Sequence, residues 1–415
     1  MEKAKKVKVK RTGIEKLIVL TVWLLFLTQK IAITVSSFSL PFALFIFPIF
    51  FIFLLCKGRI KVSFSRCCFY VFFIIMALLS SFLNMGHFSL PSLLLLILIY
   101  VFLIFDYDLK EDERKTIVKS SRNVLVVFAC LGILQFLVQF VGLPFIDPFL
   151  RLPDSLRLLG FNNTYSITYG SDIMKANGMI FLEPSFFSQF MAIGIILEFF
   201  SKKLTKSNYI RIAIYLLGIV ASFSGTGIVI LVFTILPYFF IKRVKHKFTF
   251  ILIFLVALII LMNTKYGDMV LSRVTEISGT RTSGAMRFVN PLIETFSNSN
   301  KNLFAGNGAG STSTNVFALD VNFNAMLKVC YEYGLMTIAF FIVLVTKYFF
   351  KNKVSLLTIS LFIMYLVLSG NLLSPTMVFL LVVLLESEEK RKKYVLVEES
   401  STQISMECAW KHIFY

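Results

Sequence analysis

Charge is scarce in this chain. Of its 415 residues only 16% are charged and 57% are hydrophobic, against about 25% and about 45–50% in average soluble domains. The mean hydropathy is +0.81. A water-soluble core of this length could not hide that much apolar surface, which excludes a soluble enzyme. Histidine is scarcer still. The three residues His87, His246 and His412 lie far apart, which argues against a zinc site, and neither metal nor cofactor is expected. The six cysteines, Cys56, Cys67, Cys68, Cys130, Cys330 and Cys408, include no C-x-x-C pair. They fall in apolar runs, near basic run ends or in the tail, so no disulfide framework is visible. Also missing is an A-x-A-like cleavage site after the basic start (Lys3, Lys5, Lys6, Lys8, Lys10, Arg11), which reads as a retained first helix rather than a removed signal peptide. No internal repeat is evident.

What the chain has in quantity is apolar runs, most of about 17–22 residues, long enough for a hydrocarbon layer of about 30 Å. About twelve are present, at 17–36, 39–56, 67–84, 88–105, 123–143, 179–200, 209–224, 226–241, 248–263, 328–349, 354–373 and 375–386; the seventh and the last are short. In lipid such runs must be helices, because an open strand leaves backbone groups unpaired. The expected fold is therefore all-α: one polytopic integral-membrane domain over 1–386 and a basic cytoplasmic tail over 387–415. The formal net charge is +19. The basic residues are scattered between apolar runs, with no base-stacking motif beside them, so topology rather than nucleic acid explains them. With the N-terminus inside, about 32 of the 42 Lys and Arg fall on inside segments and about ten outside, which favours both termini in the cytoplasm.

Two outside loops, about 144–178 and 264–323, exceed the usual connection length of about 15 residues, and such loops are commonly functional. The first carries Phe161, Tyr165 and Tyr169. In the second, Met286, Val289, Leu292 and Ile293 stand at near-helical spacing, predicting short helices at the outer surface. Polar residues outside or at outer helix ends are the site candidates. Glu183 falls four residues into the sixth run, before Pro184, where a carboxylate needs a partner or a wet cavity. It can serve chemistry or pair with an Arg to hold the first loop on the bundle. Arg157, Arg281 and Arg287 lie outside, against the charge trend, and Arg suits bidentate phosphate recognition. The plainer reading pairs each with Glu276, Glu294 or Asp268. Gly306-Asn-Gly308-Ala-Gly310-Ser311 reads better as a turn than as a phosphate cradle, though exposed amides could serve one. Asp320 stands where the chain re-enters the membrane and could act as a base. Near it are Asn322, Asn324, Glu332 and Gly334, and a structural Lys328–Glu332 pair is expected. Ser222, Ser224, Gly225, Thr226 and Gly227 predict a tight outer hairpin.

Taken in order, several of these pieces resemble the O-antigen and capsular polysaccharide polymerase (Wzy-type) and O-antigen ligase superfamily. They are Arg157-Leu-Leu-Gly160, Gly178-Met-Ile-Phe-Leu-Glu183-Pro184-Ser185-Phe, the Ser-Gly-Thr-Gly hairpin, the Arg287 region, Gly306 to Ser311, and Asn324 followed by Glu332-Tyr-Gly334-Leu. The resemblance covers roughly 120–350. It implies a metal-independent membrane glycosyltransferase facing outward, with a polyprenyl-pyrophosphate-linked oligosaccharide as donor. Arg157, Arg281, Arg287 and Asn324 would bind substrate, the Arg residues holding pyrophosphate. Glu183 or Asp320 would act as the base. Family ligases carry a His just before the Asn; here the pair is Phe323-Asn324, which favours a polymerase. A chain-length regulator and a flippase are the implied protein partners, beside membrane lipid. A lipid-linked oligosaccharide flippase is the competing reading, but it should carry charges deep in several spans, and here they are few.

Overall fold

The computed structural model describes residues 12–35, 38–85, 88–158, 160–161, 164–167, 170–199, 204–241, 284–297, 302–368 and 372–389. The expected ninth span (248–263), the second loop up to residue 283 and the tail beyond residue 389 lie outside them.

The described chain is mostly helical. Its helices are α1 (Gly13–Leu27), α2 (Ala43–Cys56), α3 (Phe64–Leu83), α4 (Leu90–Tyr100), α5 (Glu111–Leu137), α6 (Pro184–Glu198), α7 (Lys206–Ala221), α8 (Thr226–Ile241), α9 (Asn290–Phe296), α10 (Ala325–Phe349), α11 (Leu356–Ile363) and α12 (Pro375–Leu385). Among the described residues three stretches are long and apolar enough to cross a membrane: Phe64–Leu83, Glu111–Val141 and Ala325–Phe349. The second adds a 3-10 turn to α5. Shorter apolar helices, such as Ala43–Cys56, Leu90–Ile104 and Leu356–Leu368, occupy other expected spans. Local chemistry sets their starts. The Thr12 hydroxyl accepts from Glu15 N at 3.2 Å, and the Ser355 hydroxyl accepts from Leu357 N at 3.0 Å. Ser374 precedes Pro375, whose missing N–H costs nothing at a first helical position.

Every residue of α6 and of α12 is buried. Around them α10 packs along α3, α1 along α5, and α7 and α8 against α6. Gly227 lets α8 touch α6: a Cβ there would collide with the Ser188 backbone and hydroxyl. Phenylalanine fills much of the interior, as where Phe47 stacks on Phe379 at 4.4 Å. The outward faces are apolar too. Leu79, Phe82 and Leu83 of α3 and Leu217 and Val220 of α7 are exposed, the reverse of a soluble protein and the face a bilayer covers.

The connections gather at two ends. At one, strands β1 (Ala32–Val35) and β2 (Phe38–Pro41) pair antiparallel, and Ile31 bridges to Arg157 in the first long loop. At the other, β3 (Ile60–Val62) pairs with β4 (Phe105–Tyr107) beneath a polar cluster. There Arg66 Nη2 lies 2.6 Å from Asp106 Oδ1, Lys351 Nζ lies 3.7 Å from the same oxygen, and Tyr348 donates to Glu386 at 2.9 Å. One expectation is corrected here. The first apolar run does not stay helical to residue 36, because its end turns into the β1–β2 hairpin. Backbone groups freed from helix are satisfied by protein: the strands pair, and the Thr34 hydroxyl donates to the Arg157 carbonyl at 2.9 Å.

Candidate active site

Glu183 is not inside a helix, as its place in the sixth run predicts, but is the residue just before α6. Pro184 is the reason. It suits the first helical position and drives the preceding residue to extended backbone, here φ −143° and ψ 159°. The Glu183 carboxylate thus sits at the positive end of a buried helix. Its Oε2 accepts from the Ser185 hydroxyl at 3.0 Å and from Arg287 Nη2 at 3.1 Å.

Arg287 comes from 104 residues away, on a π-turn, Ala285–Val289, that runs into α9. The predicted short helices of the second loop are this turn and α9. The same Nη2 lies 3.4 Å from the Ser185 hydroxyl. Both contacts use one nitrogen of a group with five N–H donors, so the guanidinium keeps capacity for an anion. Tyr165, 37% exposed, belongs to the same neighbourhood. Burial pushes its phenol pKa up, Glu183 adds to the rise and Arg287 opposes it.

The Ser–Gly–Thr–Gly hairpin docks on the first turn of α6. Thr226 donates to the Ser185 carbonyl at 3.0 Å, Ser188 donates to the Ser224 carbonyl at 2.9 Å, and Gly227 N donates to the Ser188 hydroxyl at 3.1 Å. The first turn of α6 is thereby held by the hairpin, and the Glu183–Ser185 pair with it.

The other predicted residues sit differently. Asp320 is exposed and takes no part in the Glu183–Arg287 contacts. Its backbone, however, runs beside the Arg287 turn: its carbonyl accepts from Asn290 Nδ2 at 2.8 Å, and Asn322 N donates to the Met286 carbonyl at 2.7 Å. Asn324 caps α10, accepting from Leu327 N at 2.8 Å. Arg157 pairs with Asp154 at 2.5 Å and donates to the Leu150 carbonyl at 3.3 Å, contacts within its own loop. Arg281 lies outside the described residues. Glu294 binds Leu319 N at 3.2 Å instead of an Arg.

The Gly306–Ser311 stretch is a turn with a structural task. α10 breaks at Gly334, whose φ of 84° and ψ of 173° suit glycine alone. The carbonyls released there are taken by the glycine loop: Asn307 N donates to Tyr331 O at 3.1 Å and Gly308 N to Glu332 O at 2.8 Å. Those amides are therefore engaged and do not cradle an anion. The expected Lys328–Glu332 pair is present at 3.8 Å, and Thr312 donates to the same carboxylate at 2.5 Å.

Sequence reasoning missed a buried network beside the site. Lys30 Nζ pairs with Asp147 and donates to the Met179 carbonyl at 2.8 Å. Asn177 Nδ2 donates to Asp147 at 3.1 Å, and Gln135 Nε2 donates to Asn177 Oδ1 at 3.0 Å. This ties the first loop, α5 and the segment leading to Glu183 into one block. A signal existed, since Lys30 falls within the first apolar run, where a cation requires a partner.

No family model matches the chain, and neither does any curated protein or solved structure.

Proposed function

We propose that the chain is a membrane-embedded glycosyltransferase. In this reading it is a polysaccharide polymerase that joins polyprenyl-pyrophosphate-linked oligosaccharide repeat units on the extracytoplasmic face of a bacterial cytoplasmic membrane, for O-antigen, capsule or exopolysaccharide. The observation that carries the reading is the Glu183–Arg287 pair. It sets an acceptor of protons beside a cation with donors to spare, at the start of a buried helix.

The chemistry needs both. The acceptor sugar's hydroxyl oxygen bonds to the anomeric carbon of the donor glycan. The bond from that carbon to the phosphate oxygen breaks, and pyrophosphate leaves on its lipid. The hydroxyl proton passes to a carboxylate, Glu183 in the first place and Asp320 in the second. Arg287 meets the negative charge that grows on the leaving phosphate. Arg157 and Arg281 would add to that charge field, Arg157 only by giving up Asp154.

The proposed topology has about twelve spans with both termini cytoplasmic. Contacts between connections support it. Residues 30–34, 147–157, 176–188, 222–226 and 284–290 meet at one end, on segments assigned outside or at the outer ends of spans. Residues 59–66, 106–114, 351–355 and 386–388 meet at the other end, on segments assigned inside. Deleting the gene and resolving the surface glycan and its lipid-linked intermediates tests the function. Single repeat units at the surface without polymer are the expected result. Finished polymer stranded on its carrier would indicate a ligase, and repeat units trapped inside would indicate a flippase.

A further inference from the structure

Away from the Glu183 site, at the end of the bundle where β3 and β4 lie, a groove of about 120 Å³ opens between α1 and α5. It is lined by Val19, Trp23, Thr116, Lys119, Ser120 and Asn123. We propose that this groove binds the phosphodiester headgroup of an anionic glycerophospholipid. The inference does not rest on the glycosyltransferase reading.

The lining is built of donors. Lys119 supplies a cation at the rim. Ser120 is only 4% exposed, and its buried hydroxyl has no hydrogen-bond partner among the described residues. An orphaned buried hydroxyl is costly unless something unseen satisfies it. Asn123 has its oxygen engaged by Arg211 Nη2 at 3.3 Å, which leaves its NH2 to offer. Thr116 contributes less, because its hydroxyl donates to the Asp112 carbonyl at 2.8 Å. No acidic residue lines the groove. On α1, Glu15 lies one turn before Val19 and is followed by Lys16; on α5, Glu111 and Asp112 face Lys115 at 2.6 and 3.8 Å, and Glu113 faces Arg59 at 4.0 Å. From α6 and α7, Glu198 stands between Arg122 and Arg211 at 3.8 and 3.7 Å, so the local balance stays positive.

Depth supports a lipid. The charged stretch of α5 ends at Arg122, and the apolar run continues from Val124, so the groove falls where a headgroup lies, beside an interfacial Trp. Four residues beyond the lining, on the same helical faces, are Leu27 after Trp23 and Val127 after Asn123. Both are exposed, giving an apolar track for an acyl chain. Basic pockets between membrane helices recognise such headgroups.

The test uses the full-length protein purified in mild detergent, with bound lipid counted by native mass spectrometry and thermal melting followed as phosphatidylglycerol or phosphatidylcholine is added. Wild type should retain phosphatidylglycerol about fivefold over phosphatidylcholine and melt higher with it. Lys119→Ala should bring retention to parity. Ser120→Ala is the sharper variant: without lipid it should melt no lower than wild type, and the phosphatidylglycerol-dependent rise should shrink. Lys119→Arg should restore the preference, which guards against a folding artefact. Equal retention of the two lipids by wild type, or an undiminished rise in Ser120→Ala and Lys119→Ala, overturns the proposal.

Discussion

Arg287 reaches Glu183 through a single nitrogen at 3.1 Å, which in the proposed reaction leaves both groups open to substrate. A bidentate clamp would close both groups to substrate. Arg287→Lys keeps a charge but loses the planar fork, and Glu183→Gln keeps size but loses the basic carboxylate. In a deletion strain carrying either variant, polymer should fall by about a hundredfold while protein abundance holds. Normal polymer from both would remove the pair from the chemistry. The buried Lys30–Asp147 pair has another role. Lys30→Ala would leave the Asp147 carboxylate buried without its counter-charge, held only by Asn177 and the Phe149 amide, a change that costs about 3–5 kcal/mol, so the variant should melt far below wild type. The sequence made Glu183 and Arg287 visible as polar exceptions in apolar or outside surroundings. It could not pair them, because the partner lay 104 residues off and each had a nearer candidate, Arg157 for Glu183 and Glu276 or Glu294 for Arg287. It equally could not show that Arg157 stays with Asp154, since an i,i+3 pair in a loop depends on a turn that spacing does not specify.

Helix α10 is continuous in the sequence pattern but broken in fact. Gly334 adopts φ 84°, and a Cβ there would collide with the Phe304 carbonyl. Gly334→Ala should therefore loosen the 302–308 loop from α10, at a cost of at least about 1–3 kcal/mol. Faster protease cleavage within 302–308 would report it, and unchanged cleavage would contradict it. At the opposite end of the molecule the segment after α12 supplies a pH-sensitive contact. Burial raises Glu388 from 4.5 to about 7, while the Ser355 hydroxyl bonded to it opposes the rise. The folded state then holds this proton between about 4.5 and about 7 where the unfolded chain has released it, so stability falls as pH rises through that window. The melting temperature should drop between pH 5 and pH 8, and Glu388→Gln should flatten that drop. Helix positions were legible because long apolar runs admit little else. Helix ends were not: Pro184 moved one start past Glu183, and the β1–β2 hairpin ended another run early, both through local backbone chemistry that a hydropathy window averages away.

Among the described residues the charged pairs gather at two ends, and the proposed active site and the proposed lipid groove lie at opposite ones. Single cysteines in a cysteine-free background locate the two ends. Asp172→Cys in the first long loop should react with an impermeant maleimide in intact cells, and Lys110→Cys before α5 only after permeabilisation. Reversed labelling would invert the bundle and place Glu183 in the cytoplasm, where a lipid-linked glycan exported for assembly is not present. Membrane class was legible from composition alone, since 57% hydrophobic content permits few other fates. The reaction itself is most directly tested by reconstitution. The purified chain would be placed in proteoliposomes with a polyprenyl-pyrophosphate-linked repeat unit from its host, and the products resolved by size. The account predicts a ladder of joined repeat units from wild type and at most about a hundredth of it from Glu183→Gln or Arg287→Ala. A wild-type chain that moves the repeat unit across the bilayer but never joins two of them would contradict it.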